Sequence, residues 1–152
     1  MILRKATTND IDTILQIHEE LFDYKWTYDN YANELEFDIA SFVVLEEDDK
    51  IIGYYITHDI FDILEIIMLA VIKNKQHEGL GTYLLEQIEK ELHVNGNDNL
   101  YLEVDVNNKQ AISFYEKNGF SQIDIRKNYY GKDKDAMIMR KWVSPCQEIG
   151  LF

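Results

Sequence analysis

The stretch Leu69 to Leu85, LAVIKNKQHEGLGTYLL, decides how the rest of the chain is read. It opens as an apolar, strand-like segment, crosses a polar turn from Lys73 to Glu78, reaches Gly79-Leu80-Gly81 and continues into an amphipathic helix. A strand, a glycine turn and a helix start make an anion cradle. The first N–H groups of a helix lack intrahelical acceptors, the helix dipole adds positive potential, and glycine lets a ligand come close to the backbone. Taken alone, the stretch also fits an ordinary tight connection. Two common phosphate loops are excluded, because no Lys-Ser or Lys-Thr pair follows the glycines and the third glycine of a dinucleotide fingerprint is missing.

Upstream of this stretch, Ile2 to Ala6 reads as a short strand. Thr7 and Asp10 have capping-box spacing before a helix whose residues Ile11, Ile14, Leu15, Leu21 and Phe22 share one face. His18 falls on that face, where a packed core residue is the expectation. A shorter helix is predicted after Thr27, carrying Tyr28, Tyr31 and Leu35, with Trp26 just before it. Phe42 to Leu45 and Ile51 to Thr57 form a predicted hairpin around Glu46 to Lys50, and Ile63 to Val71 a central strand, apolar on both faces.

Downstream, Leu80, Leu84, Leu85, Ile88 and Leu92 mark the helix that follows the glycines, which should stop near Asn95-Gly96. Leu100 to Val106 alternates as a strand, Gln110 to Lys117 is helical, and Gly119 stands at a C-cap. Phe120 to Arg126 and Ala136 to Val143 complete a strand pair around a turn at Gly131. The order is an α/β layer arrangement with a mixed sheet of about seven strands and four helices. With 152 residues, 46% of them hydrophobic, and no repeats or linkers, residues 1–152 are expected to form a single domain.

The formal charge of −13 argues against nonspecific nucleic-acid or anionic-membrane binding and suits a cationic partner, although an acidic surface also serves solubility. One cysteine, Cys146, allows no intramolecular disulfide, and no Cys/His spacing suggests a metal site. The N-terminus lacks the apolar run of a signal peptide and no segment reaches the length of a membrane span, so a cytoplasmic protein is expected.

The loop pattern Q-x-x-G-x-G from Gln76 to Gly81 resembles the pyrophosphate loop of the GCN5-related N-acetyltransferases. A second pattern, Glu103-Val104 followed by Asn108, Ala111, Tyr115-Glu116 and Gly119-Phe120, resembles the same family independently. Within it the chain is most similar to the ribosomal protein alanine N-acetyltransferases, the RimI type. The pointers are Trp26, Leu69-Ala70-Val71, Arg126-Lys127-Asn128-Tyr129-Tyr130 and Asp135 to Met139. Departures are His77 where the family often has arginine, Asp105 and Asn107 in place of arginine and serine, and Lys25 where a proline usually precedes the tryptophan.

The resemblance implies the acetyl-CoA N-acyltransferase fold, acetyl-CoA as co-substrate and direct transfer in a ternary complex. Amide formation needs a base for the amine, a donor for the oxyanion and an acid for the departing thiolate. By resemblance Glu103 is the base and Tyr115 the acid. The pantetheine arm would pair with the backbone of Leu69, Ala70 and Val71. Gln76, His77, Glu78, Gly79, Leu80, Gly81 and Thr82 would hold the pyrophosphate through backbone N–H groups, and Asn108 would hydrogen-bond the coenzyme. Trp26, Tyr31, Tyr129 and Tyr130 are candidates to line a groove for a basic protein N-terminus, which in the resembled enzymes is the alanine of a small-subunit ribosomal protein. Packing in the core or at its rim is the alternative for these aromatics. Two other functions stay open: acetylation of a small amine such as a polyamine, an amino acid or an antibiotic, and a non-catalytic acyl-CoA-binding module. Cys146, beyond the last strand, makes a covalent acetyl-cysteine intermediate an unattractive route.

Overall fold

The computed structural model describes residues 1–143. Cys146 and the C-terminal Leu151-Phe152 lie outside the described residues. Among the described residues seven strands and four α-helices follow one another, and the strands form one mixed sheet in the order β1-β2-β3-β4-β5-β7-β6. The described residues fall into two compact units, one made of residues 1–58 and 67–87, the other of residues 59–66 and 88–143.

In the first unit β1 (Ile2–Lys5) pairs antiparallel with β2 (Ala40–Glu47), which pairs antiparallel with β3 (Lys50–Ile60). The expected hairpin between β2 and β3 is tighter than its sequence suggested. Only Asp48 and Asp49 turn, at φ 53° and 63°, a left-handed pair that aspartate tolerates, and both strands extend into the acidic run. Thr7 and Asp10 do form the capping box, around a short 3-10 turn that leads into α1 (Ile11–Leu21). The Asp10 carboxylate also takes two hydrogen bonds from Arg4, which holds it below the ordinary carboxylate range. Thr27 caps α2 (Tyr28–Glu36), its hydroxyl accepting from the Asn30 N–H at 3.2 Å. The apolar faces of both helices join Phe42, Val44, Tyr54 and Ile56 in one buried cluster. Gly53 is fixed by close approach: a Cβ there would stand 2.8 Å from the Ala70 carbonyl oxygen of β4 (Ile63–Val71).

In the second unit the start of β4 runs parallel to β5 (Asn99–Asp105), Glu65 standing beside Tyr101. Antiparallel pairs then join β5 to β7 (Ala136–Trp142) and β7 to β6 (Ser121–Arg126). The helix after the glycines, α3 (Leu80–Val94), ends as its sequence predicts: Gly96 adopts φ 77° and the Asn97 N–H returns to the Leu92 carbonyl. Helix α4 (Lys109–Lys117) stops at Gly119, φ 93°, with the Phe120 N–H bonded to the Tyr115 carbonyl. Alternation along β5 buries Leu100, Leu102 and Val104 and turns Tyr101, Glu103 and Asp105 to the other, half-buried face. Among the described residues no helix is long and apolar enough to cross a membrane.

Candidate functional site

Between β4 and α3 the backbone behaves as an anion cradle should. After the strand a 3-10 turn over Lys73–Lys75 leads to Gln76, and then His77 and Gly79 both take left-handed conformations, at φ 65° and 84°. Left-handed bends of this kind ahead of a helix start are the backbone geometry from which anion-binding concavities are built. Nothing lies within 4 Å of where a Cβ of Gly79 would stand, so glycine there answers a backbone bend and leaves open space for a ligand. Those features fit a bound pyrophosphate. Gln76 has a different part from the other loop residues: its amide donates to the Val71 carbonyl at 2.9 Å, tying the end of β4 to the loop. Lys75 is engaged by Glu47 at 2.9 Å, which raises its pKa. Ala70 and Val71 are buried, while Leu69 is half-buried.

The aromatic candidates of the first unit separate. Trp26 is half-buried, with its ring stacked on His18 at 6.3 Å and against Tyr31 at 4.9 Å. Tyr31 does not line a surface: it is fully buried, because α2 packs it onto the core. Its hydroxyl sits in a chain of polar groups. Tyr54 and Tyr31 hydroxyls are 2.7 Å apart, Tyr31 reaches His18 Nδ1 at 2.7 Å, and His18 Nε2 reaches the Tyr24 carbonyl at 2.8 Å. Because a carbonyl can only accept, Nε2 carries the proton and Nδ1 accepts from Tyr31. His18 is therefore the packed residue its position suggested, and burial pushes its pKa down. Tyr24 closes the set by donating to Met68 Sδ of β4 at 3.4 Å.

In the second unit Glu103 meets Arg126 and Tyr129. Its side chain is 12% exposed, and Arg126 Nη1 forms an ion pair with its Oε1 at 3.1 Å. The Tyr129 hydroxyl donates to the same carboxylate, which lifts the phenol's pKa above its ordinary value. Arg126 lies over the Tyr129 ring at 5.4 Å, and Tyr129 packs edge-on against Tyr130 at 5.0 Å. The sheet register explains the convergence. Glu103 and Asp124 both pair with Ile138, and a bulge at Ile123 kinks β6 just before the segment that carries Arg126. Tyr115 is buried between Phe114 and Phe120, at 5.2 and 5.3 Å, and burial raises its pKa strongly. Tyr130 shows the same direction for the same cause. Asn108 caps α4, its Oδ1 accepting from the Ala111 N–H at 3.1 Å.

The structure thus brings Glu103, Tyr129 and Tyr130 together, and places Trp26 and Tyr31 in an aromatic cluster of their own. Arg126 was noticed in the sequence only as part of a motif. Its signal was alternation: on a strand beside β7, Arg126 falls on the same face as Asp124, whose partner Ile138 is also Glu103's. Among the described residues no group of three or more His, Cys, Asp or Glu could hold a metal ion.

The chain is similar to several known proteins along most of its length. Residues 11–120 match the Acetyltransferase (GNAT) family. The [ribosomal protein bS18]-alanine N-acetyltransferase of Salmonella typhimurium is 33% identical over 137 residues, 88% of this chain and 91% of that one. An N-alpha-acetyltransferase of Sulfurisphaera tokodaii is 27% identical over 150 residues, 90% of each chain. The crystal structure of the ribosomal-protein-S18-alanine N-acetyltransferase from Escherichia coli superposes with a TM-score of 0.83 at 29% identity, covering 94% of both chains. The chain belongs to the GNAT acetyltransferase family and is an N-acetyltransferase that takes its acetyl group from acetyl-CoA.

Proposed function

We propose that this chain works as one N-acetyltransferase domain of the cytoplasm and acetylates the α-amine of a basic protein N-terminus, such as the N-terminal alanine of a ribosomal protein. The observation that carries the reading is the agreement of relatives from two genera. Both are named for α-amine or N-terminal alanine acetylation, and both align over about nine-tenths of the two chains. The net charge of −13 supports a cationic acceptor.

In this reading the loop from Gln76 to Thr82 binds the pyrophosphate through backbone N–H groups, and Leu69 to Val71 offer strand-like hydrogen bonds to the pantetheine arm. Asn108, already fixed as the cap of α4, adds a hydrogen bond to the coenzyme. Glu103 takes a proton from the attacking amine, directly or through one water. An α-amine titrates at about 7.7 to 8.0, so a carboxylate of modest basicity meets the demand. Tyr115 then gives its hydroxyl proton to the departing thiolate. Its burial disfavours the phenolate and keeps the hydroxyl protonated, and a thiolate in the same apolar surroundings is disfavoured as well, so the two effects oppose each other in the transfer. Trp26, Tyr129 and Tyr130 orient the acceptor, while Tyr31 supports Trp26 from beneath.

Mass spectrometry of an Ala-initiated basic peptide incubated with the protein and acetyl-CoA tests this directly. A gain of one acetyl group on the α-amine is expected. No acetylation there, or acetylation of a polyamine in preference to the peptide, overturns the proposal.

A further inference from the structure

The carboxylate assigned as base is already engaged. Arg126 and Tyr129 both donate to Glu103, and the guanidinium in turn rests over the Tyr129 ring. Tyr101 and Tyr129 also feel the anionic groups Glu65 and Asp124, and of the two arginines on this face Arg126 is the one paired with Glu103, while Arg140, beside Tyr101, lies over the Trp142 ring. An α-amine near neutral pH arrives largely as an ammonium and has to meet the same carboxylate before it can lose its proton. Guanidinium and ammonium therefore compete for one acceptor.

We infer that Arg126 is a resident cation held on Glu103 in the free enzyme, which the acceptor's α-ammonium displaces on binding. The two partners are unequal in the way this exchange needs. Glu103 sits on β5 with its side chain 12% exposed and stays in place, whereas the Arg126 side chain is 51% exposed on a long stem. A half-exposed ion pair is weak enough to be given up on each turnover, and the face of Tyr129 offers the departing guanidinium a place to rest. Arg126 is thus a specificity-determining residue. It keeps the carboxylate occupied until a cationic amine arrives, and a neutral group has no charge with which to compete.

This inference rests on Glu103 being the catalytic base, and the two claims are separable by experiment. The measurement is equilibrium binding of an Ala-initiated basic peptide to the protein saturated with coenzyme A. Five forms are compared: wild type, Arg126→Gln, Arg126→Lys, Glu103→Gln and the double variant Glu103→Gln/Arg126→Gln. Arg126→Gln should tighten peptide binding about three- to fivefold, the range expected from an ion pair this exposed, with a matching fall in KM that outweighs any change in kcat. Arg126→Lys should return affinity toward wild type. In the Glu103→Gln background, losing the arginine should change nothing, because nothing remains to be displaced. Weaker or unchanged binding by Arg126→Gln overturns the inference. So does an equal tightening in the Glu103→Gln background, which would signal only long-range charge. Turnover by Glu103→Gln addresses the base separately: wild-type kcat in that variant removes the base while leaving the binding cycle to be judged on its own values.

Discussion

The loop after β4 and the face around Glu103 deal with charge by opposite means. From Gln76 to Thr82 the backbone does the work: two left-handed residues and the start of a helix concentrate N–H groups, and the one lysine whose contact is defined there, Lys75, is committed to Glu47. Around Glu103 the backbone is ordinary strand and the side chains carry the chemistry, with a carboxylate, a guanidinium and tyrosine hydroxyls satisfying one another. A site made of backbone suits a substrate part that does not change during reaction, in the proposed reading the pyrophosphate. A site made of titratable side chains can move protons, and its members can exchange partners.

Substitutions should therefore separate the two regions. The largest effect is expected for Glu103→Gln, which keeps shape and removes the base: kcat/KM for peptide acetylation should fall by about 10²- to 10⁴-fold. A fall of less than about tenfold would mean that the proton leaves by another route. Tyr115→Phe should come next, with kcat down roughly ten- to a hundredfold, since a thiolate leaves well without help and general acid assistance is only part of the barrier. A pre-steady-state burst that persists in this variant would move the limiting step away from thiol release.

Gly79→Ala tests the backbone region. At φ 84° an alanine is strained by about 1 kcal/mol, and its methyl group projects into open space that in the proposed reading the pyrophosphate approaches. The dissociation constant for acetyl-CoA should rise by about tenfold, read by calorimetric titration, while kcat at saturating coenzyme stays close to wild type. A selective loss of kcat would break the division of labour.

The smallest effect concerns His18, which belongs to neither region and supports Trp26. Burial lowers its pKa from the ordinary 6.5. As pH falls below that value the unfolded chain binds the proton first, so this contribution to stability is complete above 6.5 and declines toward acid. His18→Gln should make the decrease in Tm between about pH 7.5 and 5.5 shallower by about 2 °C, a shift worth roughly 0.5 to 1 kcal/mol for a domain of this size. An unchanged slope would mean that the native imidazole titrates as it does in the unfolded chain.

How much the sequence disclosed follows the same division. Gly79 and the helix after it announced the loop, because a left-handed bend and a helix start leave marks on adjacent residues. The strands and helices fell within a few residues of their predicted places for a similar reason: Thr7, Thr27, Gly96 and Gly119 are local stop and start signals, and β5 alternates cleanly. The hairpin at Asp48-Asp49 was drawn too loose because aspartates at positive φ look like any acidic loop. Glu103, Arg126, Tyr129 and Tyr130 all stand in recognisable motifs, but their meeting depends on the register across β7 and on the bulge at Ile123, which no local pattern announces. Tyr31 was misplaced for a simpler reason. A tyrosine near a helix start fits a groove or a core equally well in sequence, and only packing against Phe42 and Tyr54 decides.

The most direct test of the division is to titrate acetyl-CoA into Glu103→Gln and Gly79→Ala side by side and to follow α-amine acetylation of the same peptide by mass spectrometry. Glu103→Gln is predicted to bind acetyl-CoA as wild type does and to leave the peptide unmodified, while Gly79→Ala binds weakly and still acetylates when the coenzyme is in excess. Loss of acetyl-CoA binding in Glu103→Gln, together with normal acetylation once coenzyme is raised, would contradict the account.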